Sequence, residues 1–361
     1  MTAPVPALQE RELSRAVEAA TGGPIGDPSK VRVDGLRTRG ASGTGGIWRF
    51  SGAGWSLVLK ILRHSEQGSD MWRSGLEEDH WYYWRREALA YGAGMLDEGA
   101  GGLRPARCHL QLDLGQEIHL WLEDVAGRPG HEWSPEAYGE AALRLGRFQG
   151  TWSFSRRLPN APWLAHDWLR RYTEHRALDW GDRRADWSSP RLRAVIGGAD
   201  TAVLDRLWER LETNLRVVEA MPPTLCHGDL HPDNLFGGEE ETVLIDWAFV
   251  GVGPLGEDAG NLVLDSVLDF HLPADRIGRL WELISEGYAE GLTEGGWSGD
   301  RRQVERAMAA ALAAKYAWVP FRLAAALAEG EEMINRLPAA EAAPVWGAGS
   351  RFLAEVAERF A

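Results

Sequence analysis

The stretch Cys226-His227-Gly228-Asp229-Leu230-His231-Pro232-Asp233-Asn234, followed by Ile245-Asp246-Trp247, constrains this chain more than any other. The apolar run Thr242 to Ile245 delivers the second Asp at the end of a strand. A buried strand before Asp229 would then set two carboxylates and one amide around a single small volume. Phosphoryl transfer needs such a set: one carboxylate takes the proton of the attacking hydroxyl, while an Asn and a second Asp hold the magnesium that bridges the nucleotide phosphates. The competing reading is a polar turn, since Gly, Pro, Asp and Asn all favour turns. The spacing H-x-D-x-x-x-x-N with a later hydrophobic-Asp-aromatic step matches a kinase catalytic loop throughout, which favours the chemistry over the turn.

His227 to Asn234 together with Ile245-Asp246-Trp247 resembles the aminoglycoside phosphotransferase family, which includes choline-kinase-like and other small-molecule kinases on a protein-kinase-like fold. Eukaryotic-type protein kinases carry an Arg after the His and a Lys two residues after the Asp. Gly228 and His231 stand there instead, which favours a small-molecule acceptor. The resemblance implies Asp229 as catalytic base and Asn234 and Asp246 as metal ligands. Trp247 and Ala248 replace the Phe and Gly of the protein-kinase D-F-G, which argues against regulation by flipping that segment. Asp258 resembles the family's structural Asp, which braces the catalytic loop; the plainer reading is a helix N-cap worth ~1 kcal/mol.

With 361 residues the chain is long enough for two lobes with sizeable cores. The formal charge of −14 argues against a nucleic-acid binder, which relies on concentrated basic surface. An acidic field attracts cationic ligands, although generic solubility accounts for the same charge. Cys108 and Cys226 are the two cysteines, far apart and outside any C-x-x-C signature, so neither a disulfide framework nor a thiolate metal site is expected. Cys226 reads as a small apolar residue beside the catalytic loop. Met1 to Glu10 lacks a basic segment followed by an apolar core, and no apolar run approaches membrane-spanning length. A cytoplasmic protein without a membrane partner is expected.

Along the N-terminal part, Pro6 to Ala20 reads as a surface helix ended by Thr21-Gly22-Gly23-Pro24. Strand-like alternation from Val31 runs to Arg39, then Gly40-Ala41-Ser42-Gly43-Thr44-Gly45-Gly46 forms a hairpin tip before a returning strand at Ile47. Backbone N–H groups at Ser42, Gly43, Thr44 and Gly45 are candidates for phosphate contact, because no side chains intervene. The spacing is neither a Walker A loop nor the protein-kinase glycine loop, and a plain turn is the alternative. Leu57 to Leu62 is an apolar run with Lys60 embedded. A buried ammonium needs a partner. In a kinase its partners are the nucleotide's α- and β-phosphates and a Glu on the next helix; otherwise Lys60 snorkels to the sheet edge. A helix opening at Glu77-Glu78-Asp79 and running to Leu96 would set Tyr83, Glu87 and Tyr91 on one face, making Glu87 the partner of Lys60. Glu117 to Gly127 reads as a strand entering a turn. It resembles the family's interlobe hinge, which implies that the purine pairs with the carbonyl of Glu123 and the amide of Val125, with no specific role for the Glu123 and Asp124 side chains.

Beyond Val125 the pattern turns helical. Ser134-Pro135 starts a helix through Trp152. Arg156 to Arg193 mixes Arg and Trp with balancing acids, which reads as a charged helical insertion over the substrate side. Ala202 to Ala220 reads as one amphipathic helix. Gly251 to Asp258 reads as a glycine-rich turn before a helix from Ala259 to Phe270. Asp265 and Asp269, four apart on it, are candidates for recognising an amine, with solvated surface acids as the alternative. Trp297, Trp318 and Trp346 are candidates for a cleft wall or for ordinary burial.

The resemblance implies an α+β, bilobal protein-kinase-like fold, with a small β-rich N-terminal lobe over residues 1–125 and a large helical C-terminal lobe over residues 126–361. It implies an ATP- or GTP-dependent, magnesium-requiring phosphotransferase. The acceptor is a hydroxyl on a small polar molecule, with an amine-bearing antibiotic or amino sugar ahead of a metabolic sugar, choline-like compound or amino alcohol. A nucleotide-binding pseudokinase is the reading from a different class. Oligomeric state leaves no trace in the sequence.

Overall fold

The computed structural model describes residues 6–36, 43–66, 70–96, 99–237 and 240–360. The N-terminal part begins with α1 (Glu12–Thr21) and continues through β1 (Arg32–Leu36), β2 (Thr44–Gly52), β3 (Trp55–Arg63), α2 (Arg86–Gly92), β4 (Leu103–Pro105), β5 (Cys108–Asp113) and β6 (Glu117–Glu123). Five strands form one antiparallel sheet in the order β1-β2-β3-β6-β5. The long strand β2 alternates half-buried and buried positions, the period expected of a sheet with one face on a core, whereas β3 is buried without a break from Leu59 to Leu62. That face packs Trp48, Phe50, Leu57, Leu59 and Trp121 against Ala16 and Val17 of α1. Glu12, the first residue of α1, is buried, and His119 Nδ1 and Trp121 Nε1 reach its Oε1 at 2.7 and 2.8 Å.

The second part runs through β7 (Arg128–Pro129), α3 (Pro135–Gly150), β8 (Ala165–His166), α4 (Trp168–Trp180), α5 (Pro190–Ile196), α6 (Thr201–Asp205) and α7 (Leu211–Glu219). It continues with β9 (Pro223–Cys226), β10 (Leu235–Gly237), β11 (Thr242–Leu244), β12 (Gly251–Pro254), α8 (Glu257–Leu268), α9 (Ile277–Glu294), α10 (Arg301–Lys315) and α11 (Val319–Glu329). The hairpin β13 (Met333–Ile334) and β14 (Leu337–Pro338) leads into α12 (Ala339–Arg359). Helices α3 and α9 approach closely through facing glycines: a Cβ on Gly150 would lie 2.8 Å from Gly295 Cα. Two small sheets flank the loop from His227 to Asn234: β4-β11-β10-β7 and β8-β12-β9. β4 pairs in parallel with β11, so a segment from the N-terminal part supports the strand that leads to Asp246. This is the sheet-rich then helical arrangement of a protein-kinase-like fold.

Several expected boundaries move. Residues 77–85 are turns, and the helix spans only Arg86–Gly92. The segment places Trp81, Tyr82, Tyr83 and Trp84 all in the core, a load that one helical stripe cannot bury. The expected helix Ala202 to Ala220 is two helices, α6 and α7, joined by a turn. Gly251 to Pro254 is the strand β12, antiparallel to β9 and parallel to β8. Ser134 stands at the N-cap with Pro135 in the first turn, as expected, but its side chain makes no capping bond.

Candidate active site

Gly228 shows why a glycine occupies its position: φ is +79°, and a Cβ would meet the Phe249 carbonyl oxygen at 2.8 Å. The loop that it opens is held by Asp258. One carboxylate oxygen accepts the His227 N–H at 2.8 Å and the other the Gly228 N–H at 2.9 Å. Gln149 Nε2 donates to Asp258 at 2.9 Å, and Tyr288 OH donates to Gln149 Oε1 at 2.6 Å. The N-cap of α8 is Gly256, so the capping reading of Asp258 fails and the bracing reading stands. Cys226 is buried beside this brace.

Asp229 and Asn234 share the loop: Asn234 Nδ2 donates to the Asp229 carbonyl at 2.9 Å. The Ile245 N–H donates to the Asn234 carbonyl at 3.0 Å, which ties the second carboxylate to the loop. Asp246 adopts φ +62°, unusual for a residue with a side chain and the kind of strain that collects at functional sites. Burial opposes charge on Asp229, but the His231 imidazole 3.5 Å from its carboxylate, together with Lys315 and His227, outweighs that and holds it well below the usual carboxylate range. His227 fixes the geometry by bonding the Ile245 carbonyl at 2.9 Å.

Lys60 reaches this group from β3. Its ammonium lies 2.6 Å from Glu87 Oε2 and 2.8 Å from Asp246 Oδ1, and Lys60 and Glu87 are almost wholly buried. Burial disfavours the charged ammonium, but the two carboxylates overcome this and raise its pKa. Burial pushes Glu87 up, with Lys60 pulling against it. The snorkelling alternative for Lys60 therefore fails. Glu87 also accepts the Trp247 N–H at 3.3 Å, and Trp247 is itself fully buried.

Asp246 and Asn234 fit a hard cation. Asn234 uses its amide nitrogen on the loop, and its Oδ1 accepts no hydrogen bond among the described residues. No trio of His, Cys, Asp or Glu among the described residues is arranged to hold a metal alone. Two protein oxygens suit magnesium, which takes its remaining ligands from water and phosphates.

The glycine segment differs from the expected hairpin tip. Ser42 lies outside the described residues. Thr44 and Gly45 belong to β2, whose pairing with β3 shifts register between Thr44 and Gly46. The Gly43 N–H donates to Tyr82 OH at 3.2 Å. At the expected hinge, Glu123 ends β6 and Val125 follows in the extended connection toward β7. The Glu123 carboxylate takes Arg104 through two bonds of 2.7 and 2.9 Å, and Asp124 takes Arg49 and Ser56. Both side chains thus have structural partners that the sequence did not reveal.

A cavity of about 600 Å³ opens beside Asp229 and Asp246. Trp318, Trp346, Asp265 and Asp269 line it, the cleft alternative to plain burial or surface exposure, whereas Trp297 lies elsewhere. Helix α4 contributes Trp168, Tyr172 and Arg176, so the charged insertion does border this space. Sequence reasoning missed Lys315, whose ammonium is buried 3.2 Å from Asp265. The signal was compositional: the chain has three lysines, and two of them sit at this site. Arg86 was missed too; wholly buried, it donates to the carbonyls of His80, Trp81, Trp163 and Ala248.

Residues 102–301 match the phosphotransferase enzyme family (APH). Methylthioribose kinase from Bacillus pumilus is 30% identical over 106 residues, 25% of this chain and 26% of that protein. Methylthioribose kinase from Exiguobacterium sibiricum is 40% identical over 76 residues, 19% of each chain. The chain thus spans about a quarter or less of the length of these curated relatives. An aminoglycoside phosphotransferase from Alicyclobacillus acidocaldarius superposes with a TM-score of 0.54 at 15% identity, over 99% of this chain and 95% of that one, a likeness of fold.

Proposed function

The chain belongs to the phosphotransferase enzyme family, and from that premise we propose that it moves the γ-phosphate of ATP or GTP to a hydroxyl of a small molecule. The observation that carries this reading is the junction of Lys60, Glu87 and Asp246, 2.6 and 2.8 Å apart, beside the loop that bears Asp229 and Asn234. Lys60 binds the α- and β-phosphates in a kinase of this kind, with Glu87 holding it in place. Asn234 and Asp246 would hold magnesium, which when bound neutralises charge on the phosphates. The nucleotide base would lie at Glu123 and Val125, with Gly43, Thr44 and Gly45 over the phosphates and the lobes dividing at 125/126.

Asp229 orients the acceptor hydroxyl. As the acceptor oxygen bonds to the γ-phosphorus, the bond from that phosphorus to the bridging oxygen breaks. The nucleoside diphosphate leaves with the electron pair, and the hydroxyl proton passes to Asp229. A carboxylate held so far below its ordinary pKa is a weak base. Positioning of the acceptor hydroxyl is therefore a large part of its contribution.

Two acceptor classes compete: amine-bearing antibiotics or amino sugars, and metabolic sugars of the kind named in the methylthioribose kinases. The amine reading has weak support from the cavity, because Asp265 faces Lys315 at 3.2 Å and Asp269 faces Arg336 at 3.6 Å. The test is magnesium-dependent ADP and GDP release across both classes, with Asp229→Ala alongside. Acceptor-stimulated release that drops about 10²–10⁴-fold in the variant is expected. Wild-type protein that binds neither nucleotide would sink the proposal.

A further inference from the structure

The acceptor cavity has an aromatic wall and an unbalanced cation. Trp72, Trp168, Tyr172, Tyr316, Trp318 and Trp346 line it. Such a wall commonly reads as a cage for a quaternary or primary ammonium. Here the chain fills that role itself: the Lys315 ammonium stands 5.4 Å from the Trp168 ring, 5.7 Å from Tyr172 and 5.3 Å from Tyr316. It is buried and anchored by Asp265, so the cation position against these rings is already occupied by the chain's own ammonium.

Most of the other charges on the wall have a partner, with Lys60 shared between Asp246 and Glu87, and His231 a countercharge to Asp229 only when protonated. Asp246 has Lys60 at 2.8 Å, Asp229 has His231 at 3.5 Å, and Asp269 has Arg336 at 3.6 Å. Arg322 is held by both oxygens of Glu331 at 2.8 and 2.7 Å. Arg176 is what is left. Its Nε donates to Tyr172 OH at 3.1 Å, and its guanidinium carbon lies over the aromatic wall, 4.1 Å from the Trp318 ring centroid and 5.3 Å from that of Tyr172. No carboxylate among the described residues lies within 4.0 Å of it. The bond to Tyr172 uses Nε and leaves the two outer nitrogens, which make no hydrogen bond among the described residues, for a planar anion that a carboxylate can match bidentately.

We propose that the acceptor is a hydroxyl compound with a planar aromatic body and a carboxylate, the ring stacked among the tryptophans, the carboxylate on Arg176 and the hydroxyl at Asp229. This rests on the phosphotransfer reading of the same site and names its substrate class. It departs from the amine-bearing acceptor expected from the family resemblance and the acidic charge of the chain. The overall charge of −14 acts at long range and is screened by salt, whereas recognition is set by the charges that remain unpaired within the cavity.

The test is calorimetric titration of wild type saturated with magnesium and a non-hydrolysable ATP analogue, so that the probes meet only the acceptor cavity. The probes are 2-naphthoate and 2-naphthylmethylammonium, one ring system with opposite charges. Naphthoate is expected to bind about ten- to a hundred-fold tighter, the range of a charge-assisted bond. In Arg176→Gln that preference should fall to within about three-fold of unity, and in Arg176→Lys it should persist at reduced size. Thermal unfolding of each variant reports whether it is folded. Equal or tighter binding of the ammonium, no binding of either probe, or an undiminished preference in folded Arg176→Gln would each overturn the proposal. Nucleotide binding is titrated first, without probes. Its absence would defeat the phosphotransfer reading, while the probes would still report the charge preference of the cavity.

Discussion

Lys60 shows how one residue links burial to chemistry. An ammonium inside a strand is costly unless paired, and here Glu87 and Asp246 pair it. Lys60→Met leaves Glu87 as a buried, uncompensated carboxylate, so a loss on the order of 3 kcal/mol is expected in urea unfolding at pH 7.5. Burial already raises Glu87, so the loss should shrink as the pH falls and Glu87 takes a proton. Lys60→Met/Glu87→Gln should recover at least half of it, since Gln keeps an oxygen for the Trp247 N–H. A double variant as unstable as the single one would show that the pair is not the source. Lys60, Glu87, Asp229, Asn234 and Asp246 were all legible in the sequence, because each belongs to a local pattern with fixed spacing. Lys315 and Arg176 were not legible. Their neighbours come from α4, α8 and the segment around Tyr316 and Trp318, and no local spacing reports such an encounter.

At the scale of elements, α8 carries two acids in its first turn with opposite fates. Asp258 braces the catalytic loop through two backbone N–H groups. Its neighbour Glu257 is buried, and burial together with the charge of Asp258 pushes its pKa up to about 8, overriding the helix N-terminus that would favour its charge. A folded-state pKa above the unfolded value of about 4.3 means that stability is full below pH 4.3 and is lost as pH rises toward 8. Glu257→Gln removes that ionisation. The variant should therefore gain stability over wild type progressively from pH 5 to pH 8.5, with the two converging at the acid end. Chemical unfolding across that range checks it, and a constant difference would refute it. The sequence placed a helix here with near-correct bounds but read Gly251 to Pro254 as a turn. That stretch becomes a strand only because β8 and β9 lie on either side of it.

For the whole molecule, Arg86 is a tie point. Four carbonyls from residues 80, 81, 163 and 248 converge on one buried guanidinium, so α2, the turns before it and the segment after Asp246 are fixed together. Arg86→Met strands those acceptors, and a loss of roughly 3–5 kcal/mol is expected by urea unfolding. Arg86→Lys should restore only part, because an ammonium has three donors on a point and not a planar fork. Full restoration by Lys would overturn this account. Among the described residues no helix is long and apolar enough to cross a membrane. By itself the sequence determined the fold class and singled out Lys60, Glu87, Asp229, Asn234 and Asp246 as residues that meet, since these rest on short-range spacing and on one lysine in an apolar strand. The tertiary structure alone decided that residues 77–85 would not continue a helix, that β4 would lie parallel to a strand from the C-terminal part, and which charges in the acceptor cavity cancel. The reason is physical: spacing along the chain is a local property, whereas charge compensation and burial depend on which distant segments meet.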